Sequence, residues 1–199
     1  MTIKILYLLL LLFIFSSCND QKNTKIDIDT TVCRDNYPEQ ATSNYILPYA
    51  TDSVFIVGQA NCTDGSHTIN TDQAYAYDFD MPVDTNVIAS RAGTVIVVTE
   101  KFQKNNQTAG QANYLIIEHD DNTISGYYHL TQDGVVVEVG DVVAQGDNIA
   151  YSGNTGDSSE AHLHFEVALC EDCQTLPINF KNTRQHKNGL IEGEAYKAE

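Results

Sequence analysis

The sequence predicts an all-β fold, an antiparallel sandwich or barrel formed as a single domain. Short runs of β-branched residues recur along the chain, and Gly or Asn turns separate them. Beyond the N-terminus, no stretch keeps the 3.6-residue apolar period that is typical of an amphipathic helix. The length of 199 residues is close to that of one domain. These observations favour packed sheets over a helical or α/β architecture.

The N-terminus has the pattern of a secretory signal. Within residues 1–17, a single Lys precedes an unbroken apolar run at residues 5–15. A membrane-spanning helix needs about 20 apolar residues, so the shorter run followed by two serines favours a cleaved signal over a permanent anchor. The junction before Cys18 resembles a bacterial lipobox, in which the signal is cut before a Cys that then carries lipid. We therefore expect a lipid anchor on Cys18 and a polar tether through residue 44.

The charge of the chain restricts its partners. Lys and Arg number 11 against 27 Asp and Glu, which gives a formal net charge of −16. A nucleic-acid binder needs a basic patch to neutralise phosphates, so this class is excluded. Electrostatic docking on anionic lipid is excluded on the same grounds, and membrane attachment would depend on the covalent lipid.

Four further cysteines, Cys33, Cys62, Cys170 and Cys173, follow the proposed lipid site. In an exported domain, four cysteines predict two disulfides with three possible connectivities. The CxxC pair at Cys170 and Cys173 could close on itself, which would leave Cys33 to pair with Cys62. The competing interpretation is a redox or metal CxxC, but the sequence has no second CxxC and no βαβ pattern around this one.

The predicted strands follow from hydrophobic runs and turns in chain order. They are residues 87–89, 94–99, 114–119, 123–129, 135–139, 142–143, 149–152 and 162–168. Residues 120–122 between two of them predict a hairpin turn. Residues 102–112 are polar and predict a surface loop, and the polar tail at 181–199 is expected to wrap the domain or to fray.

The last predicted strand carries the strongest chemical signal. Its strict alternation places His162, His164 and Glu166 on one face and apolar residues on the other. A lone His is more often structural than functional, whereas two on one polar face favour a metal site. One strand cannot easily supply all the ligands that zinc needs, so others must come from elsewhere.

Candidates for the remaining ligands are spread along the chain. They are His67, His119, His129, His186 and an acid. Asp78 and Asp80 share one face of a strand-like alternation that begins near Tyr77. Spacing alone does not choose between these two carboxylates.

Several motifs together resemble the lysostaphin/LytM-type zinc metallopeptidases, which cut peptide cross-links in bacterial cell walls. In order, the motifs are Ser66-His67, Tyr77-Asp78-Phe79 with Met81-Pro82, residues 87–95, residues 112–121, Tyr128-His129-Leu130, Gly153-Asn154-Thr155-Gly156 and residues 161–166. The resemblance spans residues 45–180, and a match in several parts is more specific than any single motif.

The resemblance implies a fold, a cofactor and a reaction. The fold would be the LytM-type antiparallel β-sandwich, a barrel-sandwich hybrid. One zinc ion per chain would be held by His67, Asp78 and His164, with His129 and His162 as catalytic histidines. The implied reaction is hydrolysis of peptide bonds in peptidoglycan stem peptides or cross-bridges by a metal-activated water. On the same face, Glu166 could orient an imidazole.

One departure from the family pattern bears on the ligands. Many members place the first His four residues before the Asp, and here that position is Ala74. The ligand must then be His67, with a longer segment before Asp78. The rival interpretation is a LytM-like binding or regulatory module without hydrolysis, and a second rival is a metalloendopeptidase that acts on proteins.

The expected organisation has four parts. They are a lipoprotein signal at 1–17, a lipidated Cys and tether at 18–44, the metallopeptidase domain at 45–180 and the polar tail at 181–199. The expected partners are a peptidoglycan peptide and, through the lipid on Cys18, a membrane, with no nucleic acid and a monomeric state. The expected location is the cell envelope, on the periplasmic or outer face of a bacterial membrane.

Overall fold

The computed structural model describes Cys33 and residues 36–199, which form an all-β domain. In chain order its strands are β1 Val54–Gln59, β2 Tyr77–Asp80, β3 Asn86–Ile88, β4 Gly93–Thr99, β5 Tyr114–Glu118, β6 Ile124–Tyr128, β7 Leu130–Val135, β8 Val142–Val143, β9 Asn148–Ser152, β10 His162–Ala168 and β11 Ala195–Lys197. Helical structure in the described residues is limited to 3-10 turns, among them Gln40–Thr42 and Gly65–His67. Within the same residues, no helix is long and apolar enough to cross a membrane.

The strands form two antiparallel sheets. The larger has the order β11-β1-β2-β10-β6-β5-β4-β8, and the smaller has the order β3-β9-β7. This arrangement confirms the predicted all-β, antiparallel class. Strand β10 lies in the middle of the large sheet between β2 and β6, so neighbours on both sides fix its side chains in register.

The alternation of β2 and β10 builds the core on one face of the large sheet. Tyr77 and Phe79 of β2, and Leu163 and Phe165 of β10, are completely buried. The ring of Phe180 packs against three of them, with centroids 5.5 Å from Tyr77, 6.1 Å from Phe79 and 5.8 Å from Phe165. Because side chains alternate along a strand, this packing turns the intervening polar residues of both strands toward the opposite face.

The structure tests the predictions for two polar segments. The polar tail wraps the domain, since β11 pairs with β1 and aligns Tyr196 with Phe55. The buried Tyr196 ring anchors this pairing. The loop predicted at residues 102–112 is confirmed, because none of it forms a strand.

The strand predicted at 135–139 is wrong in its bounds. Strand β7 begins earlier, at Leu130, and ends at Val135. The following valines enter a turn in which the Asp141 carboxylate accepts a hydrogen bond from the backbone N–H of Glu138, at 2.8 Å. The backbone N–H of Val136 still donates to the Ile149 carbonyl and Val137 packs partly against the core, whereas the side chains of Val136 and Val139 are exposed.

The cysteines pair as the local CxxC spacing allowed. Cys33 joins Cys62, with Cα atoms 6.0 Å apart, and Cys170 joins Cys173, with Cα atoms 5.0 Å apart. The predicted signal at 1–17, the lipid site at Cys18 and most of the tether predicted at 18–44 lie outside the described residues.

Candidate metal centre

Three potential ligand atoms converge on the polar face of the large sheet. Nδ1 of His164 lies 2.8 Å from Oδ1 of Asp78. Nε2 of His67 lies 3.4 Å from that nitrogen and 3.5 Å from that oxygen. A tetrahedral ion with bonds of about 2.0 to 2.1 Å separates its ligand atoms by about 3.3 Å. The three atoms therefore form a possible metal site.

The pairing of β2 with β10 selects one of the two candidate carboxylates. Asp78 aligns with His164, whereas Asp80 aligns with His162 at the outer end of the ladder. Asp80 remains exposed, and Asp78 is largely enclosed. The register of the sheet thus resolves a choice that sequence spacing left open.

His67 reaches the site from the segment that joins β1 to β2. It ends the 3-10 turn Gly65–His67, and its ring is completely buried. Its Nδ1 lies 3.3 Å from the carbonyl oxygen of Ala60. Because a carbonyl only accepts, Nδ1 carries the proton, and Nε2 presents its lone pair toward Asp78.

A backbone hydrogen bond and a disulfide hold the segment that carries His67, and Ala74 lies at the end of this segment. The backbone N–H of Cys62 donates to the Ala74 carbonyl at 2.7 Å, and the disulfide ties Cys62 to Cys33. Ala74, four residues before Asp78, is buried, and its methyl group has no atom that could bind a metal. His67 is the residue that places a second histidine nitrogen beside Asp78 and His164.

Glu166 supports the imidazole of His164 from behind. Nε2 of His164 lies 3.3 Å from Oε2 of Glu166, and both side chains are nearly inaccessible to solvent. Burial alone would lower the pKa of His164, but hydrogen bonds to Asp78 and Glu166 raise it well above its ordinary value. Burial likewise opposes ionisation of Asp78, yet the hydrogen bond from His164 and the nearby imidazoles lower its pKa. In the metal-free protein these groups form an ion pair.

His129 and His162 lie side by side next to the ligand atoms. Their ring centroids are 4.5 Å apart, and Nε2 of His162 is 3.8 Å from Oδ1 of Asp78. Nδ1 of His129 lies 2.6 Å from the Thr155 carbonyl, and Nδ1 of His162 lies 2.8 Å from the Glu160 carbonyl. Each Nδ1 therefore carries a proton, and in the neutral form of each ring the lone pair is on Nε2.

Burial keeps two of the imidazoles neutral. It lowers the pKa of His67 to about 4, against the opposing charge of Asp78. Burial, together with the charges of His162 and His164, lowers the pKa of His129 to about 3. At neutral pH both rings therefore keep a lone pair that can accept a hydrogen bond or bind a cation.

The site opens into a cleft with a volume of about 470 Å³. Asp78, His129, His162 and His164 line it, and the loop at 102–112 contributes to one wall. A second cavity, of about 440 Å³, shares the Tyr128 edge with this cleft and has Tyr114 on its lining. Tyr128 thus borders both spaces, and its ring stacks on that of Tyr114 with centroids 5.2 Å apart.

The other two histidines lie away from the site. Nδ1 of His119 donates to the Ala92 carbonyl at 2.9 Å, and the ring is buried against Tyr45. His186 lies in the tail, where its Nε2 accepts a hydrogen bond from the backbone of Phe180. The contacts of these two histidines are structural. The five residues that the resemblance singled out lie together at the site: His67, Asp78, His129, His162 and His164.

The comparisons with known proteins point in the same direction. The family model described as "Peptidase family M23" matches residues 72–178, more than half of the chain. This span contains Asp78, His129, His162 and His164, and His67 precedes it by five residues.

Among curated relatives, the chain is 37% identical over 92 residues to "Peptidoglycan DD-endopeptidase ShyA" from Vibrio cholerae, covering 46% of this chain and 19% of the relative. It is 33% identical over 90 residues to "Uncharacterized lipoprotein YgeR" from Escherichia coli, covering 45% of this chain and 32% of the relative. The chain spans about a fifth of the length of the first curated relatives it matches.

A solved structure of lysostaphin from Staphylococcus simulans shares the fold, with a TM-score of 0.51 and 24% identity over 68% of this chain and 51% of that one. The family match, the antiparallel sheets and the clustered histidines and aspartate agree with one another. The chain belongs to peptidase family M23.

Proposed function

We propose that this protein is a zinc-dependent endopeptidase that hydrolyses peptide bonds in the stem peptides or cross-bridges of peptidoglycan. One observation carries the proposal: the ligand atoms of His67, Asp78 and His164 lie 2.8 to 3.5 Å apart beside two further histidines in an open cleft. The similarity to ShyA, which is named a peptidoglycan DD-endopeptidase, supports the substrate class.

Zinc fits the donor set of the site. Two imidazole nitrogens and one carboxylate oxygen are ligands that zinc accepts, and they leave one tetrahedral position open, as in catalytic zinc sites. His67 would bind through Nε2, Asp78 through Oδ1 and His164 through Nδ1. When bound, zinc supplies Lewis acidity that polarises a carbonyl and favours deprotonation of water.

His162 is assigned as the general base. Its Nδ1–H donates to the Glu160 carbonyl, so Nε2 is the atom that accepts a proton from the attacking water. The positive charge that the ring then gains lies 3.8 Å from the Asp78 carboxylate. The same Nε2–H can pass its proton to the leaving amine, which completes hydrolysis and restores the neutral ring.

His129 has a complementary task. Its pKa, lowered to about 3, keeps the ring neutral while His162 changes its charge. Nε2 of His129 then accepts a hydrogen bond from the water or from the substrate amide, and holds it in position for attack. The 4.5 Å separation of the two rings allows both to contact one small group.

We also infer attachment to the cell envelope by a lipid on Cys18, with the polar residues that follow it as a tether to a monomeric catalytic domain. The inference is supported by the apolar run that ends before this Cys and by the similarity to YgeR, which is named a lipoprotein. In cells fed a labelled palmitate analogue, the full chain should become labelled, whereas the Cys18→Ala variant should not. Globomycin should cause the unprocessed precursor to accumulate, and normal processing in its presence would contradict the anchor.

The activity is tested by incubating the soluble chain, lacking residues 1–18, with purified sacculi. We expect new amino termini to form with zinc, to be lost with a chelator and to return when zinc is restored. The His162→Ala variant should bind zinc without releasing termini. Zinc binding with no release by the unmodified chain would favour a wall-binding module, and cleavage of casein but not sacculi would favour a protein substrate.

A further inference from the structure

One short loop contacts both histidines that are not ligands. Residues 153–158 connect β9 toward β10. The Thr155 carbonyl accepts the hydrogen bond from Nδ1 of His129 at 2.6 Å, and Oγ of Ser158 lies 3.2 Å from Nδ1 of His162. Two contacts from residues three positions apart therefore reach the Nδ1 atoms of both rings.

Thr155 is fixed to the strand that follows His129. Its hydroxyl donates to the Leu130 carbonyl at 2.9 Å and accepts from the backbone N–H of Asn113, also at 2.9 Å. The side chain is completely buried. Because the hydroxyl and the carbonyl belong to one residue, these bonds also fix the oxygen that faces His129.

Close backbone packing supports this arrangement. A Cβ at Gly153 would lie 2.5 Å from the carbonyl carbon of Leu130 and 2.5 Å from the backbone nitrogen of Thr131. Only glycine permits this approach without a shift of the backbone. His129 itself has φ of 64°, a left-handed conformation that non-glycine residues adopt at a cost, so its surroundings must hold it there.

Ser158 connects His162 to a second side chain. Its Oγ lies 2.7 Å from Oδ1 of Asn154 and 2.8 Å from the Glu160 carbonyl. Both oxygens accept, so the hydroxyl proton points to one of them and a lone pair of Oγ faces the Nδ1–H of His162. The ring is thus held by the hydroxyl of Ser158 as well as by the Glu160 carbonyl.

We propose that Thr155 and Ser158 are positioning residues that hold His129 and His162 as Nδ1–H tautomers, with both Nε2 lone pairs directed into the cleft. The catalytic consequence rests on the proposed function, whereas the tautomers are a property of the folded chain itself. The two parts can therefore fail separately.

The tautomers are measured in the zinc-loaded soluble chain by two-bond ¹H–¹⁵N correlation of the imidazoles. We expect His129 and His162 each to show one Nδ1–H tautomer. In Thr155→Val the His129 signals should shift toward a mixture of tautomers, and in Ser158→Ala the His162 signals should do so. Thr155→Ser and Ser158→Thr, which keep the hydroxyl, should restore the original pattern.

Kinetics on sacculi give the second measurement. We expect kcat to fall about tenfold in Thr155→Val and in Ser158→Ala, with KM and zinc content unchanged. Thr175→Val and Ser43→Ala serve as matched controls, because both hydroxyls are buried and hydrogen-bonded to backbone groups elsewhere in the domain. Both controls should keep the tautomers and kcat.

An Nε2–H tautomer at either histidine of the unmodified chain would overturn the proposal, and this result needs no variant to fold. Tautomers and kcat in Thr155→Val and Ser158→Ala equal to those of the controls would also overturn it. If the unmodified chain shows the expected tautomers but does not cleave sacculi, the positioning stands and the proposed activity fails.

Discussion

Asp78 and His164 face each other across two adjacent antiparallel strands, with Oδ1 of one 2.8 Å from Nδ1 of the other. The backbone ladder between β2 and β10 fixes this pair before any metal binds. His67 instead arrives from a connecting segment that the sheet does not hold. Two of the three proposed ligands are therefore set by the sheet, and the third depends on how that segment is anchored.

Removal of His67 should abolish stoichiometric metal binding. His67→Ala leaves two protein ligands, which is one fewer than catalytic zinc sites use, so we expect zinc affinity to fall by at least about 100-fold. Equilibrium dialysis followed by elemental analysis measures the loss. His186→Ala is the matched control, because that histidine lies in the tail and should leave one zinc per chain. Full zinc content in His67→Ala would refute the ligand assignment.

Loss of the carboxylate behind His164 should weaken the site without removing a ligand. Glu166 accepts from Nε2 of His164 at 3.3 Å, and such partners orient the ligand and raise its basicity. We expect Glu166→Gln to reduce zinc affinity about tenfold, measured by competition with a chromogenic chelator. Glu118→Gln, on an exposed position of β5, controls for the change in charge. Equal affinities in the two variants would exclude this role.

Metal binding should become stronger as pH rises. The pKa of His164 is raised, so its ring is protonated in the metal-free protein at neutral pH, and an incoming metal must displace that proton. The apparent affinity should increase about tenfold per pH unit from pH 6 to 8, with about one proton released per zinc. Asp78 adds no step in this range because its pKa is lowered.

Calorimetric titrations in buffers with different ionisation enthalpies count these protons directly. Proton release should disappear in His164→Ala, while any zinc that still binds His67 does so through a ring that is already neutral. An affinity independent of pH from 6 to 8 would contradict the protonated state of His164.

The two disulfides should differ in their effects. Cys33 and Cys62 are 29 residues apart, so replacing both by Ser should lower the free energy of unfolding by about 3 to 4 kcal/mol. Cys170 and Cys173 are 3 apart, and their replacement should cost about 2 kcal/mol. Urea denaturation measures both values.

The two double variants should also differ in their affinity for zinc. Because Cys62 anchors the segment that carries His67, the Cys33→Ser/Cys62→Ser protein should also bind zinc more weakly. The Cys170→Ser/Cys173→Ser protein should bind zinc normally. The reverse pattern would show that the Cys33–Cys62 bond does not fix the position of His67.

The sequence predicted the parts of the site that lie on regular strands. The alternation of residues 162–168 placed His162, His164 and Glu166 on one face, as the sheet shows. The choice of Asp78 over Asp80 could not come from alternation, since both share a face, and it required the register with β10. His67 was one of several candidate histidines, and only the family resemblance selected it, because its segment has no periodicity and its contact is tertiary.

Other features left little signal in the sequence. The support of His129 by Thr155 runs through a backbone carbonyl, which every residue type carries. Strand β11 pairs with β1 across more than 130 residues of chain, and its polar composition is that of a tail. The valine run that predicted a strand at 135–139 was overridden by a turn that closes between Glu138 and Asp141.

The central claim, that His67, Asp78 and His164 form one zinc site, is tested most directly by anomalous diffraction at the zinc edge from crystals of the zinc-loaded chain. We predict one strong peak per chain, about 2.0 to 2.2 Å from Nε2 of His67, Oδ1 of Asp78 and Nδ1 of His164. A zinc ion bound elsewhere, or one held by Asp78 and His164 with His67 turned away, would contradict the account.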